Sequence, residues 1–378
     1  MSMDHNVLIK LRHDLHRIPE LGFQEQKTKA KVAATLRDLG LEVHEDVGVI
    51  GVLKSGRGNK AIALRAELDA LPISEMSNHD YVSENKGVMH GCGHDGHMSM
   101  LLGAASQLAK TRDFDGTVFF IFQPNEEHGL GARAMIDQGV LERFPAEEIY
   151  AIHNLPGAPL GQVSTRSGLI CSSESLFEIE ITGQGGHAAM PQSGVDAITV
   201  GSEIVQALQT IVSRKIRPGA GVVVSVTEFI SDGQRNVLAG RGLLKGDVRT
   251  RSEQDRLSVE AFMRQIATGI GQAHDICVEV KFNTEFIETI NAQLPTSAVV
   301  RNGNSIGRET IGDREPMSFS EDFAHFNNAV PGCLLLMGNG QDGPSGQPLH
   351  ANNYDFNDAL LPIGVEFWSA LVKDRLPA

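Results

Sequence analysis

GTVFFIFQPNEEHG, residues 116–129, changes character half-way along. Its first eight residues, GTVFFIFQ (116–123), are β-branched and aromatic, the composition of a strand buried in a sheet. The chain then passes through Pro124 and Asn125 into two adjacent carboxylates, Glu126 and Glu127. Alone, such a pair reads as a solvated acidic turn. It gains meaning from its place, because ligands of open α/β sheets bind beyond the carboxyl ends of the strands.

The same arrangement recurs on either side. An apolar run at 61–66 ends in Glu67 and Asp69, and EIYAI at 148–152 is closed by His153. CLLLM at 333–337 precedes a loop with His350. GCGHDGH brings Cys92, His94 and His97 in a turn that leads into a helix starting near Met98. Each of these residues is commonplace by itself. Jointly they offer one thiolate, several imidazoles and carboxylates at one sheet edge, the donor set of a catalytic metal.

Helical spacing of apolar residues predicts helices over 6–18, 25–39 and 98–108, and a further apolar run at 49–54. Strands alternating with helices predict a mostly parallel α/β sheet flanked by helices. The texture changes near residue 172. LFEIEITG and CVEVKF (277–282) alternate apolar with polar, as half-exposed antiparallel strands do. Between them lie helices at 195–214 and 253–273 and strands at 221–230 and 242–250. After about residue 288 the first texture returns, with helices near 320–328 and 357–375. The expected architecture is a discontinuous catalytic domain, 1–172 and 288–378, with a smaller α+β lid or dimerisation domain inserted at 173–287.

The 378 residues suit two domains. A formal net charge of −14 argues against nucleic acid or an anionic membrane as partner. No apolar stretch approaches membrane-spanning length, and no signal peptide is evident at the start. The four cysteines, Cys92, Cys171, Cys277 and Cys333, show no paired spacing, which fits free thiols in a reducing, cytoplasmic setting.

LRHDLHRIPELGFQE, ALRAELDALPI, MHGCGHDGH, FQPNEEHGLGARAMI, IHNLPG, GQGGHAAMPQSGVDAI, MSFSEDFAHF and LHANNYDFND follow one another along nearly the whole chain. In that order they resemble the aminoacylase-like metallopeptidases, in the branch of hippurate hydrolase and the auxin-conjugate (indoleacetyl–amino acid) hydrolases. The resemblance implies a dinuclear centre held by Cys92, His94, Glu127, His153 and His350, with Glu126 as general base. It places Asp69 behind a ligand, and His187 of the inserted domain at the scissile carbonyl. Arg249, helped by Asn236, is the expected clamp for a substrate carboxylate. Departures from the family pattern fall at Glu67, His128, Gln192, in NVLAG (236–240) and at Cys171–Ser173, none of them a proposed ligand or base.

The implied reaction is hydrolysis of the amide bond of an N-acyl amino acid by metal-activated water, with Glu126 taking the proton and returning it to the leaving nitrogen. A thiolate among imidazoles favours zinc; manganese, cobalt and nickel also fit. A dipeptidase or carboxypeptidase using the same centre is the alternative. A non-catalytic relative would be expected to have lost Glu126 or a ligand, and all are present. The expected partner is a small N-acyl amino acid substrate, with assembly into a homo-oligomer possible.

Overall fold

The computed structural model describes residues 3–378. They form two compact units. The first holds the chain up to Ile170 together with Thr289–Glu315 and Asp322–Ala378; the second holds Cys171–Glu288 and Pro316–Glu321.

The first unit opens with α1 (His5–His16), capped by the Asp4 side chain, which accepts the Val7 N–H at 2.9 Å. Its Leu8, Leu11 and Leu15 turn inward at helical spacing. There follow α2 (Gln26–Asp38), β1 (Glu42–Glu45), β2 (Val49–Ser55), β3 (Ala61–Glu67), α3 (His94–Thr111) and β4 (Gly116–Gln123). Next come α4 (Gly131–Asp137), α5 (Val140–Arg143), β5 (Glu148–Pro156), β6 (Val163–Ser164) and β7 (Gly168–Cys171). The second unit contributes β8 (Ser173–Thr182), β9 (Gly186–His187), α6 (Ala197–Thr210), β10 (Val223–Ser231), β11 (Val237–Leu238), β12 (Arg241–Thr250), α7 (Glu253–Ala273) and β13 (Cys277–Phe286). The return segment adds β14 (Thr289–Asn291), α8 (Gln293–Ser305), β15 (Thr310–Ile311), α9 (Phe323–Ala329), β16 (Gly332–Gly340) and α10 (Leu360–Arg375).

The large sheet has the order β1-β2-β4-β3-β5-β16-β6-β15. Its four central strands, β4, β3, β5 and β16, are mutually parallel, whereas β1 and β2 form an antiparallel margin. Helices cover the centre, which is why β4 reads as a continuous apolar run: Val118, Phe119, Phe120, Ile121 and Phe122 are all buried. Each such phenylalanine contributes about 1.5–3 kcal/mol by leaving water. The core closes with α3 and α10, where Leu101, Leu102, Leu371, Val372 and Trp368 pack together.

The second unit is an antiparallel sheet, β10-β12-β8-β13. Phe177, Ile179 and Ile181 of β8 alternate inward against Val200, Ile204 and Leu208 of α6 and Val259, Met263 and Ala267 of α7. No helix among the described residues is long and apolar enough to cross a membrane.

One local expectation is corrected. GCGHDGH is not a turn ahead of a helix at Met98: the helix begins at His94, so His94 and His97 stand in its first turn. Gly93 takes a left-handed φ of 91° to permit that start. A Cβ there would lie 2.5 Å from Asn154 Oδ1.

Candidate metal centre

Because β4, β3, β5 and β16 run parallel, their carboxyl ends share one edge of the sheet, and each sends a polar residue there. β3 leads to Asp69, β4 to Glu126 and Glu127, β5 carries His153, and the loop after β16 carries His350. The start of α3 adds Cys92 and His94. The structure thus brings together all five expected ligands, the expected base and Asp69.

Cys92 Sγ lies 3.4 Å from His153 Nε2. His350 Nε2 lies 3.5 Å from Glu127 Oε2, and His94 Nε2 lies 3.9 Å from both Glu126 Oε2 and Glu127 Oε1. Donor atoms of Cys92, His94 and His153, of Cys92, Glu127 and His350, and of His94, Glu126 and Glu127 fall within 4.8 Å of one another in each trio. Such separations suit ligands around small divalent ions with bonds of about 2.0–2.3 Å.

The ring tautomers fit as well. His153 Nδ1–H donates to the Asn154 carbonyl at 2.8 Å, and His94 Nδ1–H donates to the Asp69 carbonyl at 2.9 Å. Each bond leaves Nε2 as the inward lone pair. His94 Nε2 is buried with no hydrogen-bond partner, a position that a cation at the centre would satisfy. His350, on a residue with φ of 67°, is half-exposed, and its own N–H donates to the Gly91 carbonyl at 2.9 Å.

Electrostatics carry the same message. Burial pushes the Cys92 thiol well up, and the neighbouring Glu127, Glu126 and Glu67 push it further. Burial would lower His94, but Asp69 and Glu67 outweigh it and raise the group to about 10. Burial, with His97 beside it, takes His153 down to about 3. The pocket therefore gathers negative charge around a neutral His153 and a His94 that holds its proton, and binding of a cation would release protons from its ligands.

Asp69 is fully buried and serves two neighbours. Its Oδ1 lies 3.4 Å from His94 Nδ1, and its Oδ2 accepts the Glu127 N–H at 3.0 Å. Burial alone would raise its carboxyl; the His94 hydrogen bond and the backbone donors hold it low.

Two supports were not legible as such in the sequence. Asn125 has φ of 48°, a left-handed conformation immediately before the two glutamates. Glu25, itself buried, accepts the Asn125 N–H at 2.9 Å, and Gly22 lies so close that a Cβ would sit 1.7 Å from Asn125 Oδ1. Beneath the centre, His97 Nδ1–H donates to Glu67 Oε2 at 2.7 Å, and Glu67 is in turn paired with buried Arg65, which also holds Asp322 at 2.9 Å.

Three expected residues belong to the second unit. His187 on β9 is exposed and pairs with Val237 of β11, beside Asn236. The Ala189 N–H donates to His187 Nδ1 at 3.0 Å, which leaves the ring proton on Nε2. Asn236 is held through its carbonyl, which accepts the Ala188 N–H at 3.0 Å. Arg249 on β12 is not a free guanidinium: Nη2 meets Glu174 at 2.6 Å, Nε meets Asp247 at 3.0 Å and Nη1 donates to Ser320 Oγ at 2.9 Å.

Residues 63–374 match the model of peptidase family M20/M25/M40. The chain belongs to this family. It is a hydrolase that acts on amide bonds. Among M20 relatives, hippurate hydrolase of Campylobacter jejuni is 35% identical over 97% of this chain and 96% of its own. Thermostable carboxypeptidase 2 of Saccharolobus solfataricus is 34% identical over 94% and 92%. The crystal structure of Bacillus subtilis YXEP, described as a dinuclear metal binding peptidase of the M20 family, superposes with a TM-score of 0.85 at 30% identity, covering 98% of both chains.

Proposed function

We propose that the protein is a metal-dependent amidohydrolase of N-acyl amino acids. The observation that carries this reading is the convergence of Cys92, His94, Glu127, His153 and His350 around the buried, unbonded His94 Nε2, with Glu126 alongside. Two divalent ions held by these five residues, zinc before manganese, cobalt or nickel, would polarise the amide carbonyl and acidify water.

The remaining work falls to side chains. Glu126 takes a proton from the attacking water and delivers it to the leaving nitrogen, so that amide and water become carboxylate and amine. It needs to be near the reacting water without being a ligand; Glu127 reaches both His94 and His350, whereas Glu126 is assigned to the water beside His94. Asp69 keeps His94 and the Glu127 backbone in register. His187, with its proton on Nε2, is assigned as donor to the oxygen that gains charge. Arg249 is assigned to the substrate carboxylate, for which Glu174 and Asp247 hold its place.

The test is a panel of substrates scored by released amine after metal loading: N-benzoyl and N-acetyl amino acids, free dipeptides, and the same acyl amino acids amidated at the carboxyl end. N-acyl amino acids with a free carboxylate are expected to be cut fastest. Faster cleavage of dipeptides or longer peptides would favour the carboxypeptidase reading, which the Saccharolobus relative supports. No cleavage of any N-acyl amino acid would overturn the proposal.

A further inference from the structure

A second gathering of metal-ligating side chains lies in the first unit and takes no part in the reaction above. His16 ends α1, and Glu75 and His79 come from the segment between β3 and α3. Glu75 Oε1 is 3.2 Å from His16 Nε2 and 3.1 Å from His79 Nε2, and the three side chains are only 1%, 4% and 16% exposed in the order His16, Glu75, His79. Ligand atoms about 2.0–2.1 Å from one tetrahedral zinc stand roughly 3.3 Å apart, close to both separations.

The orientation of each group fits an ion. His16 Nδ1–H donates to Asp95 Oδ2 at 2.8 Å, and Nε2 is hydrogen-bonded to Glu75 Oε1 at 3.2 Å, a position that an ion would take in place of the proton. A carboxylate behind a histidine in this way fixes the ring and raises its basicity as a ligand. Glu75 Oε2 already accepts the Ser83 N–H at 2.7 Å, so Oε1 is the oxygen turned toward the imidazoles. The contact of His79 with Glu75 is short, yet neither His79 nitrogen forms a hydrogen bond of acceptable geometry. A cation would fill the place that no aligned proton occupies between His79 and Glu75, whereas His16 Nε2 and Glu75 Oε1 are aligned as a hydrogen bond.

Charge points the same way. The neighbouring guanidinium of Arg12 is shared among Asp95 at 3.2 Å, Asp355 at 2.8 Å and Asp358 at 2.6 Å. Its single positive charge is exceeded by those three carboxylates before Glu75 is counted. Beside the group, His90 is buried with neither ring nitrogen bonded, its centroid 6.2 Å from that of His16. An unbonded buried imidazole here is a further unpartnered ligating group beside the cluster.

We propose that His16, Glu75 and His79 form an additional divalent-cation site of the zinc type, separate from the hydrolytic centre. Its role is structural. It fastens α1 to the segment that leads into α3, with His94 and Asp95 serving the two sites from adjacent positions of one helical turn. The competing state is a proton held on His16 between Asp95 and Glu75.

Zinc content decides between them. The full chain is equilibrated with zinc, freed of unbound ion by desalting, and measured by mass spectrometry of the metal per chain. The wild type is expected to hold one equivalent more than Glu75→Gln and one more than His79→Ala, with amide hydrolysis by both variants within about twofold of the wild type. The readout is a difference of one, so it stands whatever the hydrolytic centre contains. Equal zinc in the wild type and either variant would overturn the proposal. So would loss of zinc and hydrolysis together, since the missing ion would then belong to the hydrolytic centre. Should Glu75→Gln or His79→Ala lack the wild-type circular dichroism, His79→Gln, which keeps the bulk of the side chain, takes its place under the same criterion.

Discussion

Asp69→Asn removes one charge from a fully buried side chain and leaves its volume unchanged. In the wild type Oδ2 accepts the Glu127 N–H at 3.0 Å, and Oδ1 stands 3.4 Å from His94 Nδ1, whose proton goes to the Asp69 carbonyl at 2.9 Å. An asparagine has one acceptor where two N–H groups converge, so its amide NH2 must face one of them. A hydrogen bond to a charged group is worth about 1.5–3 kcal/mol, and a buried donor left without a partner costs about 1–3 kcal/mol. Because the Asp69 carbonyl still holds His94, the loss should lie toward the lower end of the combined range. We therefore expect metal affinity to fall about 10- to 100-fold, or about 1.4–2.7 kcal/mol. At saturating metal kcat should fall less than affinity, since Glu126 itself is unchanged. Competition with a chelator of known affinity measures the first quantity and steady-state kinetics the second. Affinity within twofold of the wild type would refute the reasoning, because the backbone carbonyl would then suffice to hold the ligand.

Glu126→Gln should lower kcat by about 10²- to 10⁴-fold with metal content intact, whereas Glu127→Gln should lose metal first; the reverse pattern in metal analysis would exchange their roles. Arg249→Ala should raise KM for N-acyl amino acids by roughly ten- to a hundredfold and leave the poor cleavage of their carboxyl amides little changed. An equal loss on both substrate types would instead indicate damage from leaving Glu174 and Asp247 without their cation. The last prediction concerns acid stability. Burial raises the Glu148 carboxyl, but Arg375 and the Tyr150 hydroxyl outweigh it and hold the group below its ordinary value. Its stabilisation is complete above the unfolded value of about 4.3 and is lost as pH falls through the lower folded value. Arg375→Leu should therefore melt below the wild type at pH 7, with the gap in Tm narrowing under pH 4; a gap independent of pH would exclude Glu148 as its source.

What the sequence makes legible follows from burial. β4 is covered on both faces, so GTVFFIFQ has no alternative reading, and α7 occupies the expected residues 253–273 because one apolar stripe and the Ser252 cap define it. α8 escaped notice since QLPTSAVVRNGNS contains Pro295, Asn302, Gly303 and Asn304, poor helix formers; packing of Ala298 and Val299 into the core overrides them. α4 is only seven residues long, and β1 presents the polar run EVHE at the sheet margin. At the site, the five proposed ligands follow from a resemblance, and the closeness of their donor atoms agrees with it. Glu25 holds the Asn125 N–H with its carboxylate and Gly22 leaves room for the Asn125 side chain, both from about a hundred positions away, which no local pattern reports. The engagement of Arg249 by two acids and a serine is invisible for the same reason.

The position of β16 has a consequence for biosynthesis. This strand is the last of the chain, yet it lies between β5 and β6 in the large sheet and precedes the loop that carries His350. On the ribosome β5 must wait for it through about 175 residues of further synthesis, the whole second unit among them, with one row of backbone N–H and C=O groups unmatched. Pairing over such a separation is slow, because loop closure must be completed before the contacts reward it. A nascent chain short of residue 332 has neither the strand nor the final imidazole, so it cannot assemble the complete proposed ligand set. Under the proposed function, loading of metal would thereby be deferred until β16 and its loop have been made, and a product truncated before β16 should emerge inactive and prone to aggregate through the open margin of β5.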